Sequence, residues 1–248
     1  MNLLFLGTGT STGVPQIGCK CAVCVSENEK DKRLRASVLI TAGNQKILID
    51  CGPDFRQQLL THNVDRISAV LLTHEHYDHV SGLDDLRPLG KAEVYAEKIV
   101  LSIIQRNMPY CFSENKYPGV PSINLHEINE NEFVIADLKV QPIRIMHAKL
   151  PILGFRIGNM AYLTDVKTID DTSIEQLENL DVLVLNALRI NKHISHLSLI
   201  EALEIANKIG AKETYFTHIS HDMGLHEVVN KTLPAHIQIA YDGMTLNI

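Results

Sequence analysis

The sequence has no tryptophan, few aromatic residues and no apolar stretch that approaches the length of a membrane span. Aromatic residues make up 5% of its 248 residues, and hydrophobic residues of all kinds make up 45%. Since a helix that crosses a bilayer needs about 20 consecutive apolar residues, no membrane partner is expected. The segment 1–6 lacks a basic stretch ahead of its apolar residues, which favours a first β-strand over a signal peptide and predicts a cytoplasmic location.

Blocks of positive charge, low-complexity stretches and linkers rich in proline, glycine or serine are also missing. The 23 lysines and arginines are outnumbered by 29 aspartates and glutamates, and the formal net charge is −6. Because proteins that grip an extended nucleic acid usually carry a basic patch, such a partner is not expected. A local pocket for one phosphate is compatible with this charge. The length fits one α/β domain with a sizeable core, and we predict a single domain over 1–248.

Cysteines are few, and three of the five lie close together. The loop 18–25 contains them at C-x-C-x2-C spacing, as Cys19, Cys21 and Cys24. An odd number of cysteines without a secretion signal is not typical of a disulfide framework. Three thiols at this spacing predict a structural Zn²⁺, and buried apolar cysteines, a redox pair or a nucleophile are the alternatives. The fourth ligand would come from elsewhere in the chain, with His221 favoured over His226.

A dense group of ligand-type residues follows the apolar run 69–72. It consists of His74, His76, Asp78 and His79. Neutral imidazoles and carboxylates hold catalytic zinc and related ions. His74 and His76 alternate along an extended segment and therefore point the same way, whereas Asp78 and His79 lie past the turn and can reach a second ion. Four ligand types in six residues make a polar loop with chance histidines a poor alternative.

Three further ligand-type residues stand far downstream, each at the end of an apolar strand: His147, Asp165 and His218. Each would be an ordinary loop residue by itself. Together they supply the additional ligands that a site with two metal ions needs.

The apolar pattern also predicts local structure around these residues. Segments 36–41 and 45–50 read as a hairpin, and 55–62 reads as a helix with Asp54 as its N-cap. Helices are also predicted over 97–106, 199–209 and 225–233, and a strand over 237–241. Ser198 and Glu201 form a capping box for the predicted helix 199–209, and Gly210 ends this helix.

The H-x-H-x-D-H motif and the three later ligands resemble the metallo-β-lactamase superfamily over nearly the whole chain. The resemblance implies an α/β (α+β) fold, a four-layer αββα sandwich with the site along one edge of two sheets. It also implies that His74, His76 and His147 hold one ion, that Asp78, His79 and His218 hold the other, and that Asp165 bridges both. Diiron members have a glutamate where His76 stands, and β-lactamases commonly have a cysteine where Asp165 stands, so hydrolytic two-metal chemistry is favoured.

A narrower resemblance follows from the glycine-rich opening 6–15, the three cysteines and the H-x-x-H that ends at His221. These features resemble the phosphoribosyl 1,2-cyclic phosphate phosphodiesterases of the carbon–phosphorus lyase route. That family implies a structural zinc on the four residues Cys19, Cys21, Cys24 and His221. It also implies a catalytic histidine before a helix, here His196, that orients the phosphate and protonates the leaving oxygen. The opening itself reads either as a phosphate-facing loop or as a tight turn.

The expected function is hydrolysis of a small cyclic or nucleotide-like phosphodiester by two divalent ions, Zn²⁺ or Mn²⁺, with His196 and Asp78 as catalytic residues. The alternatives are a transfer-RNA 3′-processing endonuclease, a thioester or lactone hydrolase, and a zinc-stabilised binding protein. A homodimer is one expected assembly. Segment 107–120 is left open as a lid, a substrate wall, a dimer contact or a surface loop, and Cys111 has no assigned role. His193 is interpreted as a surface residue, and His62, His126 and His236 as structural.

Overall fold

A computed structural model of the protein describes residues 1–116 and 118–248, which form two seven-stranded sheets. The first sheet consists of β1 (Asn2–Gly7), β2 (Ser37–Ala42), β3 (Gln45–Ile49), β4 (Ala69–Leu71), β5 (Lys91–Ala96), β6 (Ser122–Glu127) and β14 (Thr245–Asn247). The second consists of β7 (Phe133–Ile135), β8 (Leu138–His147), β9 (Leu150–Ile157), β10 (Met160–Leu163), β11 (Val182–Asn186), β12 (Glu213–Thr217) and β13 (Ile237–Ile239).

Helices cover the outer faces of both sheets. They are α1 (Phe55–Thr61), α2 (Tyr77–Val80), α3 (Lys98–Asn107), α4 (Asp171–Glu175), α5 (Leu199–Ile209) and α6 (His226–Asn230). Short 3₁₀ helices lie at Glu29–Asp31, Ser81–Leu89, Pro109–Cys111 and His221–Met223. Among the described residues, no helix is both long and apolar enough to span a bilayer.

Alternating side chains of the strands build three apolar layers. In β1, Leu3 and Phe5 face the second sheet, whereas Leu6 packs with α1 and α3 on the outer face. This alternation is the period of two that a strand imposes on its side chains. On the far side, Leu183 and Leu185 of β11 pack with α5. The order helix, sheet, sheet, helix is the predicted four-layer αββα sandwich.

Parallel pairing brings the carboxyl ends of several strands to one edge. β3, β4, β5 and β6 run parallel in the first sheet, and β10, β11, β12 and β13 run parallel in the second. The backbone N–H of Leu153 donates to the carbonyl oxygen of Thr73 at 3.1 Å and joins the two sheets beside that edge. Residues that follow strands of different sheets therefore meet there.

The helix predictions hold best where a cap is specific. The capping box of Ser198 and Glu201 opens α5, and Gly210 ends it with a left-handed φ of 69°. Asp54 lies at the N-cap position of α1, as predicted, but its side chain makes no cap hydrogen bond, because its carboxylate accepts hydrogen bonds from the backbone N–H and the guanidinium of Arg35. α6 and β13 are shorter than the segments 225–233 and 237–241 that the sequence indicates.

Candidate active site and metal centres

The H-x-H-x-D-H segment follows β4 and turns into α2. His74 and His79 are fully buried, whereas His76, which precedes the helix, is exposed. The ring centroid of His74 lies 4.6 Å from that of His76 and 4.3 Å from that of His79. The strand end and the helix start thus bring three imidazoles together, as the sequence predicts.

The second sheet adds His147 at the end of β8, and Asp165 and His218 just after β10 and β12. The His147 ring lies 5.7 Å from the His74 ring and 5.1 Å from the His76 ring. His218 stacks on His79 at 5.7 Å, and one ligand atom from each of Asp78, His79 and His218 lies within 4.8 Å of the others. The structure therefore brings together both of the ligand trios that the resemblance implies.

Asp165 lies between the two trios. Its Oδ2 is 3.3 Å from His79 Nε2, and its Oδ1 is 3.4 Å from His218 Nε2. With bond lengths of about 2.0–2.2 Å, two ligands of one zinc ion lie about 3.0–3.4 Å apart. Its φ is 57°, and that of His218 is also 57°, a left-handed conformation that costs a non-glycine residue about 1–3 kcal/mol. The strand ends hold this strain at the point where the donors converge.

A buried layer of hydrogen bonds orients the imidazoles. His79 Nδ1–H donates to Asp50 Oδ2 at 2.7 Å, and His74 Nδ1–H donates to Thr73 Oγ1 at 2.9 Å. These bonds assign the proton to Nδ1 and leave Nε2 as the free donor atom. Nε2 of His74 and of His79 is buried without a hydrogen-bond partner among the described residues. Because an unpaired buried polar atom is costly, the two nitrogens fit metal ligation.

Asp50 had no role in the sequence interpretation, although the same signal marks it, since it directly follows the apolar strand β3. It is fully buried, and Thr73 donates to it from both the backbone N–H and the hydroxyl. Its φ is 63°. Asp50 therefore orients the His79 ring through the hydrogen bond that it accepts from Nδ1.

The charges around the cluster favour cations. Burial lowers the pKa of His218 to about 4 and holds the pKa of His74 well below 6.5, so both imidazoles are neutral donors. Burial alone would raise the pKa of Asp165, but His218 and His79 lower it well below its usual range. The buried carboxylates raise the pKa of His79 against the effect of burial. A divalent ion supplies that positive charge when it displaces the proton.

His196 lies at the partly exposed side of the cluster, three residues before α5 begins. Its Nε2 is 3.0 Å from Asp165 Oδ1, its ring stacks on His218 at 5.1 Å, and its side chain is 12% exposed. His193, interpreted from the sequence as a surface residue, instead contacts it, with 3.1 Å between the two Nδ1 atoms. The structure therefore places His196 where a substrate at the cluster would meet it.

The cysteine loop forms a second cluster. Sγ of Cys19, Cys21 and Cys24 and a ring nitrogen of His221 lie within 4.8 Å of one another. His221 Nδ1 is 3.5 Å from Cys19 Sγ and 3.3 Å from Cys21 Sγ, close to the edge of about 3.6 Å that a tetrahedral zinc with one nitrogen and three sulfurs requires. The Cys24 backbone N–H and His221 lower the pKa of Cys21 to about 6, which favours the thiolate.

The alternative prediction, that His226 is the fourth ligand of the cysteine cluster, is wrong. It is buried on α6, where its Nδ1 accepts a hydrogen bond from Arg33 Nη2 and its backbone N–H donates to Asp31. His126, interpreted from the sequence as structural but without a partner, pairs with Glu93 and stacks on Tyr95 at 4.4 Å.

The glycine-rich opening runs between the two clusters. Thr10 N–H donates to the carbonyl of Ile219, the residue after His218, and Thr10 Oγ1 is 3.3 Å from His218 Nε2. A Cβ on Gly9 would come within 2.9 Å of the Arg33 and Leu34 backbone oxygens, so the close approach requires glycine. The opening thereby holds the β12 end that carries His218 and His221.

Comparison with known proteins agrees with this geometry. The profile described as the Beta-lactamase superfamily domain matches residues 45–219. The crystal structure of a new diphosphatase from the PhnP family superposes with a TM-score of 0.94 at 40% identity, covering 100% of this chain and 97% of that one. Zinc-bound PqqB from Methylobacterium extorquens, at 19% identity and a TM-score of 0.83 over 100% of both chains, shows the fold alone.

Among curated relatives, a protein of Porphyromonas gingivalis named octanoyltransferase is 49% identical over 98% of this chain but only 51% of its own length. Coenzyme PQQ synthesis protein B of Methylobacterium radiotolerans is 33% identical over 43% of this chain and 40% of its own. This chain thus spans about half the length of the first relative. The profile match and the PhnP-family neighbour show that the chain belongs to the metallo-β-lactamase superfamily and is PhnP-like.

Proposed function

We propose that the protein is a dinuclear metal-dependent phosphodiesterase that hydrolyses a small cyclic or nucleotide-like phosphodiester, such as phosphoribosyl 1,2-cyclic phosphate. The observation that carries the proposal is the position of Asp165 between two ligand trios, with His196 at 3.0 Å. A carboxylate shared by two ions suits hydrolytic chemistry. The 40% identical neighbour is described as a diphosphatase, which adds support because a diphosphatase also performs chemistry at phosphorus.

In this proposal one ion is held by His74, His76 and His147 and the other by Asp78, His79 and His218. The chemistry supplied by two ions, Zn²⁺ or Mn²⁺, is activation of water and neutralisation of phosphate charge. The four residues of the cysteine cluster hold a separate structural Zn²⁺ that leaves no open position.

His196 is the proton donor of the proposed reaction. From the open side of the cluster it reaches a phosphate that lies over Asp165, and its imidazolium gives a proton to the departing alkoxide. An imidazole is suited to this role because it can both bind and release a proton during turnover. General acid catalysis of this kind is worth about 10²–10⁴-fold.

The test compares His196→Ala with wild type on two diesters, ethyl p-nitrophenyl phosphate and an alkyl ribosyl phosphate, in zinc- or manganese-loaded protein. We expect a loss of about 10²–10⁴-fold in kcat on the dialkyl diester. The loss should be much smaller on the aryl diester, because p-nitrophenolate leaves without a proton. Metal content should not change. Equal losses on both substrates would show that His196 only positions the phosphate.

A second candidate is thioester hydrolysis, which the name of the octanoyltransferase relative favours. That name describes a protein about twice as long, so the activity can belong to the half that this chain does not match. Turnover of an octanoyl thioester that exceeds turnover of every phosphodiester, and that survives His196→Ala, would replace the phosphodiesterase proposal.

A further inference from the structure

A cavity of about 200 Å³ opens beside the metal-ligand turn. Tyr77, Ser81 and Asp84 line one side of it, spaced one and two turns apart along α2 and its 3₁₀ continuation. Tyr77 stands between the ligands His76 and Asp78, so its Cα is about 3.8 Å from the Cα of each. The cavity therefore adjoins the turn that carries these ligands.

The opposite wall comes from the end of α3 and the segment after it. Ile104, Asn107, Met108 and Tyr110 line this wall. Sites that hold a whole small ligand measure roughly 300–1,000 Å³, so this cavity takes one group of a substrate rather than all of it. Segment 107–120, left open by the sequence, thus supplies a wall in its described part, while Tyr117 lies outside the described residues.

The walls combine two tyrosine rings and a few polar groups with four apolar side chains, those of Val80, Leu83, Ile104 and Met108. Tyr77 is 73% exposed and Tyr110 is 40% exposed, so both rings are accessible. Ser81 Oγ is buried and has no hydrogen-bond partner among the described residues. An alkyl chain would offer no hydrogen bond to the Asn107 amide and no ring face to the two tyrosines. A flat heterocycle offers ring faces to the tyrosines and hydrogen-bonding atoms to the polar groups.

The wall is fixed before any ligand arrives. Tyr110 Oη donates to Asp84 Oδ1 at 2.8 Å, and Arg87 Nη2 donates to Asp84 at 2.6 and 2.7 Å. Arg87 is therefore engaged by Asp84 rather than directed at a phosphate. A side chain that is already held loses little freedom on binding.

We propose that this cavity binds the heteroaromatic base of a nucleotide-like substrate while its phosphodiester lies at the histidine–aspartate cluster. The proposal rests on the proposed function and adds the substrate class. The proposal favours a nucleotide-like phosphodiester over a purely ribosyl one as the substrate.

The test uses three diesters with the same leaving group on metal-loaded, full-length protein: thymidine 5′-(p-nitrophenyl phosphate), ethyl p-nitrophenyl phosphate and octyl p-nitrophenyl phosphate. Stacking on aromatic side chains predicts a preference of about 5- to 100-fold in kcat/KM for the thymidine diester over the ethyl diester. Tyr110→Ala should remove most of this preference, whereas Tyr110→Phe, which keeps the ring, should retain it. Ile99→Ala, on the exposed side of α3, is the matched control and should also retain it.

Asn107→Leu gives an independent result if Tyr110→Ala fails to fold. It removes the amide and keeps the wall apolar, so the thymidine preference should fall and the relative rate of the octyl diester should rise. Equal kcat/KM for the thymidine and ethyl diesters in wild type, or an octyl diester that matches the thymidine diester, would overturn the proposal.

A failure of the phosphodiesterase proposal looks different, because none of the three diesters would then turn over in a metal-dependent way. In that case calorimetric binding of thymidine 5′-monophosphate, compared between wild type and Asn107→Leu, still decides whether the cavity takes a base. Binding weakened at least about fivefold by the substitution supports it, and equal or undetectable binding overturns it.

Discussion

The cysteine cluster takes three of its four donors from one six-residue stretch, whereas the histidine–aspartate cluster takes its donors from both sheets. The two clusters nevertheless share the end of β12, since His218 faces one and His221 faces the other. A left-handed φ of 57° at His218 turns the chain between them. The two clusters are thus separated by a single turn of backbone.

The difference lies in how many donors surround each centre. Four donors at tetrahedral spacing close the cysteine cluster, which is typical of a structural zinc. The histidine–aspartate cluster has a shared carboxylate, one exposed imidazole at His76 and an open side next to His196, which is typical of a catalytic site. The first should therefore govern stability and the second turnover, and substitutions in each can break or sharpen that contrast.

Asp165→Ala should have the largest effect. It removes the carboxylate shared by both trios, and several kcal/mol of charge stabilisation correspond to a loss of at least about 10³-fold in kcat/KM. Metal analysis should show loss from the histidine–aspartate cluster and retention of one zinc at the cysteines. Asp171→Ala, an exposed aspartate on α4, is the control and should change neither quantity. Two ions retained with full activity would show that Asp165 is not a ligand.

The contrast between the clusters also shows how far the sequence reaches. Donors that directly follow apolar strands could be predicted, because parallel strands end at one edge of a sheet. His193 could not, because its contact with His196 depends on how a loop folds back. The hydrogen bonds of Asp54 could not be predicted for the same reason. Its carboxylate binds Arg35, a partner from a distant segment, and this contact competes with the local helix cap. Local patterns identify the residues of a site more readily than the hydrogen bonds that orient them.

Cys21→Ser should affect stability more than turnover. Loss of a structural metal is among the changes that cost about 4 kcal/mol or more, which for a chain of this size lowers Tm by about 10 °C. The melting temperature and the zinc content report this, and kcat at saturating metal should fall much less. Cys111→Ala removes a buried thiol outside both clusters and is the control for general cavity effects. A fall in kcat as large as for Asp165→Ala would contradict the separation of roles.

A buried ionic network beneath the glycine-rich opening predicts a pH dependence of stability. Asp242 accepts hydrogen bonds from Thr8 Oγ1 and Leu34 N and lies near Arg33, and burial raises its pKa from 3.8 to about 6. The folded protein therefore binds this proton more tightly than the unfolded chain does. The stability due to this group is greatest below pH 4 and falls as the pH rises to about 6, by about 3 kcal/mol.

Asp242→Asn cannot titrate, so its free energy of unfolding should lack this component. The free energy of unfolding of both proteins is measured by denaturant titration from pH 4 to pH 7. Over this range the wild type should lose about 3 kcal/mol of stability relative to the variant. Taking the difference cancels the histidines, which titrate in both proteins. A difference that stays constant with pH would show that Asp242 has an ordinary pKa.

Asp50→Asn should have the smallest effect and the most selective one. Asparagine has nearly the same size, accepts the hydrogen bond from His79 Nδ1 and tolerates the φ of 63° at this position. It removes the negative charge behind the imidazole and replaces the oxygen that accepts from Thr73 with an amide NH2. Loss of such a partner typically weakens metal binding about 10- to 100-fold. The weakening should be confined to the ion held by Asp78, His79 and His218.

Competition with a chelator, followed by metal analysis and by the thiolate absorption of a cobalt-substituted cysteine cluster, separates the two centres in the same sample. The cysteine cluster should keep its affinity, because none of its donors contacts Asp50. If both centres weakened together, the turn at His218 would transmit the change, and the two clusters would have to be treated as one coupled unit. If neither weakened, Asp50 would serve only to satisfy Thr73 and the buried backbone.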